Sequence, residues 1–178
     1  MNKDLLKATN SQKILFCLLN DPFGDFLESE IQKATKISKS GVNYALRELV
    51  SADFVFRAKR GKTFFYTLNR DDLVVRQLKI IETVSGLEKV LKLLKPLSSK
   101  IILFGSSSRG EDTPDSDIDL MIISRNKDLV LSKLKDCKCK RKIQSVIDTN
   151  TGFAEKKSKD PVFYEQVNKG IVLWDSRS

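Results

Sequence analysis

The sequence predicts an α+β protein in which two small domains are joined by a helical segment. Its 178 residues are enough for two domains of modest size. Helix-like and strand-like apolar patterns occur both before and after one long helical pattern. We therefore predict a first domain at 1–70, a linking helix at 71–97, and a small mixed β-sheet with flanking helices at 98–178.

The first domain is predicted to begin with three short helices. Apolar residues at 11–19 have helical spacing, and the sequence Asp-Pro-Phe-Gly at 21–24 ends this helix. A second helix is predicted at 28–35. Ser38 is a suitable N-cap in the turn that leads to a third helix at 42–50.

The third predicted helix has two different faces. Val42, Leu46 and Leu49 form one apolar stripe, which predicts packing against the rest of the domain. The opposite stripe carries Ser40, Asn43, Tyr44 and Arg47. Asparagine, tyrosine and arginine side chains can reach base edges in the major groove of DNA.

A hairpin is predicted after the third helix. Two strand-like runs, at 54–59 and 63–68, flank Gly61, which suits a tight turn. Three helices followed by a basic hairpin resemble a winged helix-turn-helix domain of the kind found in small bacterial and archaeal repressors. The resemblance implies that the third helix and the hairpin bind double-stranded DNA.

The local charge agrees with this interpretation. Residues 36–62 contain seven Lys or Arg and two acidic residues, within a chain of net charge +9. Basic side chains neutralise phosphates and position a module on DNA. The predicted DNA-binding residues are Lys39, Ser40, Asn43, Tyr44, Arg47, Lys59, Arg60 and Lys62. The alternative is a winged-helix fold that contacts proteins and whose basic face is only solvated.

A long helical pattern links the two domains. Apolar residues recur at three- and four-residue steps over 71–95, Gly86 is a candidate break, and Pro96 ends the pattern. Two interpretations stay open. The segment packs against both domains, or it pairs with a second copy in a homodimer and presents two recognition helices to two DNA half-sites.

The most informative stretch is 104–120, FGSSSRGEDTPDSDIDL. Gly105 and Ser106 follow an apolar run, whereas Asp117 and Asp119 lead into another. Carboxylates at i and i+2 of a strand lie on the same face, where they suit a Mg²⁺-type ion. A turn of small residues offers backbone N–H groups to phosphate. The pattern therefore predicts a site for a metal and a triphosphate.

Further strands and helices are predicted around this motif. Their bounds are strands at 99–104, 117–123, 142–148 and 170–174, and helices at 107–111, 127–136 and 160–169. The helix at 107–111 would point its positive end at a bound anion.

The spacing G-S-x10-D-x-D, with Arg109-Gly110 and Ser116 inside it, resembles the signature of the DNA polymerase β-like nucleotidyltransferases. It is most similar to the minimal nucleotidyltransferases, over roughly 85–175. The resemblance implies that Asp117 and Asp119 bind two Mg²⁺ (or Mn²⁺) ions and are catalytic. The nucleotide-binding residues that it implies are Gly105, Ser106, Arg109 and Ser116, of which Arg109 lies near the phosphates or braces the loop.

The resemblance also implies a third carboxylate on a later strand, which activates the attacking hydroxyl. Asp148 is the acidic residue of the predicted strand at 142–148, so it is the candidate third catalytic residue. The alternative is a turn or N-cap residue before 149–152. If Asp148 is not the base, the site binds nucleotide without efficient turnover.

Several other classes of site are excluded or disfavoured. The chain contains no histidine, which excludes histidine acid–base catalysis, Ser-His-Asp triads and zinc sites with histidine ligands. Its three cysteines are expected to be reduced, in a cytoplasmic protein. No apolar stretch reaches about 18 residues, so no membrane span is expected. The basic cluster at 138–142 is either a solvated loop or a nucleic-acid contact.

Two functions follow from these observations. The first is a Mg²⁺-dependent enzyme that transfers a nucleoside monophosphate from an NTP to a hydroxyl of a protein, a small molecule or a nucleic acid, with the winged helix bound to DNA. The alternative is a transcriptional regulator whose degenerate nucleotidyltransferase domain only binds nucleotide or another ligand.

Overall fold

The protein is described from a computed structural model that covers residues 6–137, 139 and 141–177. The chain forms two compact units, 1–82 and 83–178, and the boundary lies within one helix. Lys138 and Lys140 of the predicted basic cluster lie outside the described residues. No helix in the described ranges is long and apolar enough to cross a membrane.

The first unit combines three helices with a small antiparallel sheet. Its elements are α1 (Asn10–Leu18), β1 (Asp25–Leu27), α2 (Glu28–Thr35), α3 (Lys39–Ser51), β2 (Val55–Arg60), β3 (Thr63–Leu68) and the first part of α4 (Leu73–Gly86). The sheet order is β1-β3-β2. The strand β1 was not predicted, because three residues are too short for an alternating pattern to be recognised.

The third helix begins three residues earlier than predicted. Ser38 is its N-cap, as expected, and its Oγ accepts the N–H of Gly41 at 3.2 Å. Lys39 and Ser40 therefore belong to the helix and share its exposed face. The opposite face packs Val42 and Leu46 into the core of the unit. This arrangement orients the predicted DNA-binding side chains away from the core.

The second unit is built on a four-stranded mixed sheet. Its elements are α5 (Glu88–Leu94), β4 (Lys100–Phe104), β5 (Ile118–Ile123), α6 (Lys127–Asp136), β6 (Ile143–Asp148), α7 (Asn150–Lys159), α8 (Pro161–Asn168) and β7 (Ile171–Asp175). The sheet order is β6-β5-β4-β7. The pair β5–β6 is parallel, and the pairs that β4 forms with β5 and β7 are antiparallel.

Both faces of this sheet carry apolar cores. Ile118, Leu120 and Ile122 belong to a cluster with residues of α5 and α6, such as Val130. Met121 belongs to a second cluster with Phe104, Val167 and other residues. A strand that is covered on both faces reads as a continuous apolar run. Because side chains alternate, the two aspartates before and within β5 share the face of Met121.

Two predictions for the second unit are wrong. The expected helix at 107–111 is a single 3₁₀ turn at Ser106–Ser108, so this segment does not direct the positive end of an α-helix at the site. The residues 149–152, interpreted as a turn, instead begin α7, with Thr149 as its N-cap. Few apolar residues occur in α7, and Phe153 packs with the second core cluster. Helical periodicity was therefore too weak to reveal this helix.

The linking segment consists of two helices, with the break at Gly86 as predicted. The helix α4 ends at Gly86 and α5 begins at Glu88. In the first unit, Val75 contributes to the core, whereas Leu87 and Val90 contribute to the core of the second unit. Buried Lys79 donates from Nζ to the carbonyl oxygen of Leu19 at 2.7 Å, which offsets the cost of burying its charge.

Candidate functional site

The structure brings Gly105 and Asp119 together at one end of β4 and β5. The antiparallel register pairs Phe104 with Asp119, so the residue after Phe104 lies beside the carboxylate. Gly105 has φ 70° and ψ −157°, a conformation that is almost restricted to glycine. A Cβ atom at this position would overlap Asp119 Oδ2. Two features therefore require glycine at position 105: the positive φ angle of the backbone, and the carboxylate of Asp119, which occupies the space of a Cβ atom.

The two predicted metal ligands repel each other electrostatically. Burial, and next the negative charge of Asp117, raise the pKa of Asp119 above its ordinary value, and the guanidinium of Arg141 acts in the opposite direction. The exposed ammonium of Lys142 lies 3.0 Å from Asp117 Oδ2. A divalent cation bound between the two carboxylates would offset their mutual repulsion.

This donor set fits one divalent ion of the Mg²⁺ class. Such an ion takes oxygen ligands and is often held by one or two carboxylates together with water and substrate phosphates. Asp117 and Asp119 supply the carboxylates, and both side chains are partly exposed. Within the described part of the chain, no group of three or more His, Cys, Asp or Glu residues is arranged to hold a metal. The remaining ligands would have to come from substrate and water.

The other predicted nucleotide-binding residues lie in the loop between β4 and β5. Arg109 donates from Nη1 to the carbonyl oxygen of Gly105 at 3.0 Å and pairs through Nε with Glu111 Oε2 at 2.7 Å. It therefore braces the loop. Half-buried Ser106 accepts the backbone N–H of Arg109 at 3.0 Å. Ser116 Oγ accepts the N–H of Thr113 at 2.9 Å, which closes a turn of the loop.

The structure does not bring Asp148, the candidate third catalytic residue, to the aspartate pair. Asp148 pairs with Ile123 at the far end of the parallel β5–β6 ladder. Asp119 lies four residues earlier along β5, which corresponds to about 13 Å. Asp148 Oδ1 accepts the N–H of Thr149 at 2.8 Å, and Oδ2 lies 3.6 Å from Lys156 Nζ. Its carboxylate lies beside the start of α7 and not at the aspartate pair.

Gln144 is the residue that β6 places beside Asp119. The two are register partners in the parallel ladder, so their side chains share one face of the sheet. Gln144 is exposed. Its carboxamide is uncharged and does not take up a proton as a carboxylate does. The position next to the aspartate pair therefore carries no acidic side chain from this strand.

Arg141 was not predicted as part of the site. Its Nη1 donates to Asp112 Oδ2 at 2.5 Å, and its Nε donates to the carbonyl oxygen of Ser116 at 2.9 Å. Its Nη2 donates to Ser107 Oγ at 3.1 Å and to the carbonyl oxygen of Asp117 at 3.2 Å. These partners are 24 to 34 residues away in sequence, so no local pattern could have revealed them.

A second candidate site lies on the exposed face of α3. With Glu28 of α2, the predicted DNA-binding residues of this helix line a shallow groove of 690 Å³: Lys39, Ser40, Asn43, Tyr44 and Arg47. Tyr44 is 67% exposed although it is aromatic. Its lining includes two basic residues, Lys39 and Arg47, and one acidic residue, Glu28.

The hairpin separates its basic residues between two faces. Arg57 pairs in register with Tyr66, and both line a hollow of 400 Å³ together with Arg47 of α3. Arg60 instead forms an ion pair with Asp25 and lies over the ring of Phe65, 4.7 Å from its centre. The structure therefore groups Arg57, which was not predicted, with the helix, and does not bring Arg60 to that surface.

The remaining predicted hairpin residues are exposed. Lys59 pairs in register with Phe64, two residues beyond Arg57 and on the same face of the hairpin. Lys62 follows Gly61 in the turn, where Gly61 has φ 61°. Both lysines are exposed to solvent.

Comparison with known proteins concerns the second unit. No curated protein matches the chain. Residues 84–167 match the family model described as a nucleotidyltransferase domain. The matched segment contains β4, the following loop and β5, and with them the glycine and the aspartate pair. This match, with a mixed sheet flanked by helices, supports placing residues 84–167 in the nucleotidyltransferase superfamily.

Proposed function

We propose that the second unit binds an NTP with Mg²⁺ at Gly105, Asp117 and Asp119 and transfers its nucleoside monophosphate to an acceptor hydroxyl. Nucleotidyl transfer is the general reaction that the family match indicates. The observation that carries the proposal is the convergence of Gly105 on the carboxylate of Asp119, beside a second aspartate. Glycine lets the phosphates approach the backbone closely, as a nucleotide site requires.

The chain would contribute positioning and charge. Asp117 and Asp119 would hold the ion, and Arg109 would keep the turn after β4 in place through its bond to the carbonyl of Gly105. A bound Mg²⁺ ion would offset negative charge on the phosphates during transfer. The acceptor oxygen forms a bond to the α-phosphorus, the bond to the β-phosphate oxygen breaks, and pyrophosphate leaves.

A second candidate function is favoured by Gln144. The attacking hydroxyl must lose its proton, and a positioned general base accelerates this step. The side chain beside Asp119 is a carboxamide, and Asp148 lies at the other end of the ladder. The alternative is therefore a regulator that binds nucleotide with little turnover.

For the first unit, we propose a winged helix-turn-helix domain that binds double-stranded DNA. Support comes from the order of three helices and a hairpin, and from the exposed basic face of α3. Arg47 and Arg57 line one hollow next to this face, where they could neutralise phosphates. The polar residues Asn43 and Tyr44 are suited to base edges.

The transfer proposal is tested with α-labelled ATP, CTP, GTP and UTP in the presence of Mg²⁺ or Mn²⁺. We expect the wild-type chain to transfer label to an acceptor and the double variant Asp117→Ala, Asp119→Ala to transfer none. Equal transfer by the two proteins would refute the proposal. Nucleotide binding without transfer would favour the regulator instead.

The regulator is tested by measuring duplex affinity with and without Mg·NTP at fixed salt. Coupling between the sites requires that each ligand alters the affinity of the other by the same factor. Unchanged DNA affinity would exclude coupling. Absence of salt-dependent binding to any duplex would exclude the proposed DNA-binding role of the first unit.

A further inference from the structure

One guanidinium links both ends of the loop that joins β4 to β5. The side chain of Arg141 is 18% exposed, and it precedes β6 by two residues. Its partner Ser107 lies at the start of the loop, and the carbonyl groups of Ser116 and Asp117 lie at its end. Asp112, near the middle of the loop, provides a carboxylate to the same guanidinium.

Two of the loop residues that bind the Arg141 side chain are buried. The side chain of Asp112 has no exposed surface, and Ser107 is fully buried. A buried charge pair is retained only when its hydrogen-bonding groups are satisfied, and removing one partner is costly. The guanidinium side of the pair is satisfied, since all three nitrogens of Arg141 make directed bonds.

We propose that Arg141 is a positioning residue of the nucleotide site. It holds the Gly105–Ser106 turn and the Asp117–Asp119 pair in one fixed frame, although it makes none of the contacts assigned to nucleotide or metal. Ser107 directly follows the turn, and the carbonyl of Asp117 belongs to the first carboxylate residue. The consequence for nucleotide binding rests on the function proposed above, whereas the fixing of the loop does not.

Arginine is needed for this geometry. A lysine would keep the positive charge. Its three N–H donors all belong to one nitrogen atom, however, so it cannot reproduce the planar arrangement of donors on the guanidinium group. Arg141→Lys therefore separates charge from directed bonding. The double variant Arg141→Met, Asp112→Leu removes the buried pair together, a replacement that often leaves stability unchanged or increased. It therefore separates loop positioning from general stability.

The exposed Arg125 provides a matched control. It follows β5 by two residues and lies at the end of that strand opposite to Asp119. Arg125→Lys is the same chemical change in the same unit, away from the loop. A general effect of replacing arginine by lysine would alter both variants.

The test measures amide hydrogen exchange over 105–117 without ligand, and the affinity for Mn·ATP, in the full chain. We expect Arg141→Lys and the double variant to exchange faster over this loop and to lose about 10- to 100-fold in affinity. We expect Arg125→Lys to match the wild type. Thermal melting of each variant confirms that it is folded, and the double variant should melt within a few degrees of the wild type.

Wild-type protection and affinity in both Arg141→Lys and the double variant would overturn the inference. Loss of protection in the Arg125→Lys control to the same degree would overturn it as well. If the wild-type chain does not bind Mn·ATP, the proposed function fails. The exchange measurement, made without nucleotide, would then still decide whether Arg141 fixes the loop.

Discussion

The two ends of the β5–β6 ladder carry similar groups in different surroundings. At one end Asp119 packs against Gly105, and at the other Asp148 packs against Gly152, so that a Cβ atom on either glycine would overlap the carboxylate. Asp119 lies beside a second aspartate, with Arg141 nearby and Lys142 paired with that aspartate. Asp148 instead lies beside Lys156 and the N–H of Thr149. The neighbours, and not the packing of aspartate on glycine, make one end a candidate cation site.

The largest difference is expected when each aspartate is neutralised. Asp119→Asn should weaken Mn·NTP binding by about 100-fold or more, since the loss of one close charge partner commonly costs several kcal/mol. Asp148→Asn, its matched control on the same sheet face, should change the affinity less than about threefold. Calorimetric titration measures both. Similar losses in the two variants would contradict the assignment of the site to one end.

A gain of function would sharpen the comparison. Gln144→Asp places a carboxylate beside Asp119, where it could act as a general base. We expect the transfer rate to rise by about 10-fold or more, because a well-placed general base contributes about 100-fold or more. The same substitution combined with Asp119→Asn should give no gain. A rate for Gln144→Asp equal to that of the wild type would show that Gln144 does not limit the reaction.

The two glycines should differ in their sensitivity to alanine. Gly105→Ala forces a side chain into a positive-φ conformation, and we expect a loss of about 1–3 kcal/mol of stability together with weaker nucleotide binding. Gly152 lies in α7, where alanine is favoured over glycine by about 1 kcal/mol, so rotation of Asp148 should make Gly152→Ala nearly neutral. Chemical denaturation tests this, and equal losses would contradict it.

The hairpin offers the same comparison in the first unit. Arg57→Ala should weaken duplex binding about 5- to 10-fold and lower the salt slope by about one, as expected for a lost phosphate contact. Arg60→Ala should have less than about a twofold effect, because Arg60 already pairs with Asp25 and Phe65. Fluorescence anisotropy at several salt concentrations measures both. A larger effect at Arg60 would reverse the assignment of faces.

The smallest expected effect concerns the charge pair itself. The folded chain binds the proton of Asp119 more tightly than the unfolded chain, because its pKa is raised above 3.8. Stability is therefore lost as pH rises from 3.8 through the raised value. Asp117→Asn should lower the pKa of Asp119 and raise the melting temperature at neutral pH by up to about 5 °C. Carboxyl NMR titration measures the pKa, and an unchanged value would contradict this account.

Local pattern was enough to predict much of the second unit. The alternation of apolar residues located β5 and placed Asp117 and Asp119 on one face, and the preceding apolar run located β4. The strand bearing Asp148 was also predicted. The register between β5 and β6 was not, because it depends on contacts between strands that each pattern describes separately.

Long-range contacts explain the other missed features. Arg141 lies in a basic cluster that reads as a solvated loop, yet its partners include a buried carboxylate 29 residues earlier. The hairpin was predicted, whereas the partner of Arg60 lies in β1, which is too short to be recognised by alternation. Both cases concern which distant residue a charged side chain meets, and local sequence does not contain this information.

The position of a bound ion tests the central claim most directly. Crystals of the chain grown with Mn²⁺ and a non-hydrolysable NTP analogue would locate the metal by its anomalous scattering. We predict a peak at coordination distance, about 2.1 Å, from carboxylate oxygens of both Asp117 and Asp119, with the phosphates beside Gly105. A peak at Asp148, or none at the aspartate pair in nucleotide-bound crystals, would contradict the account.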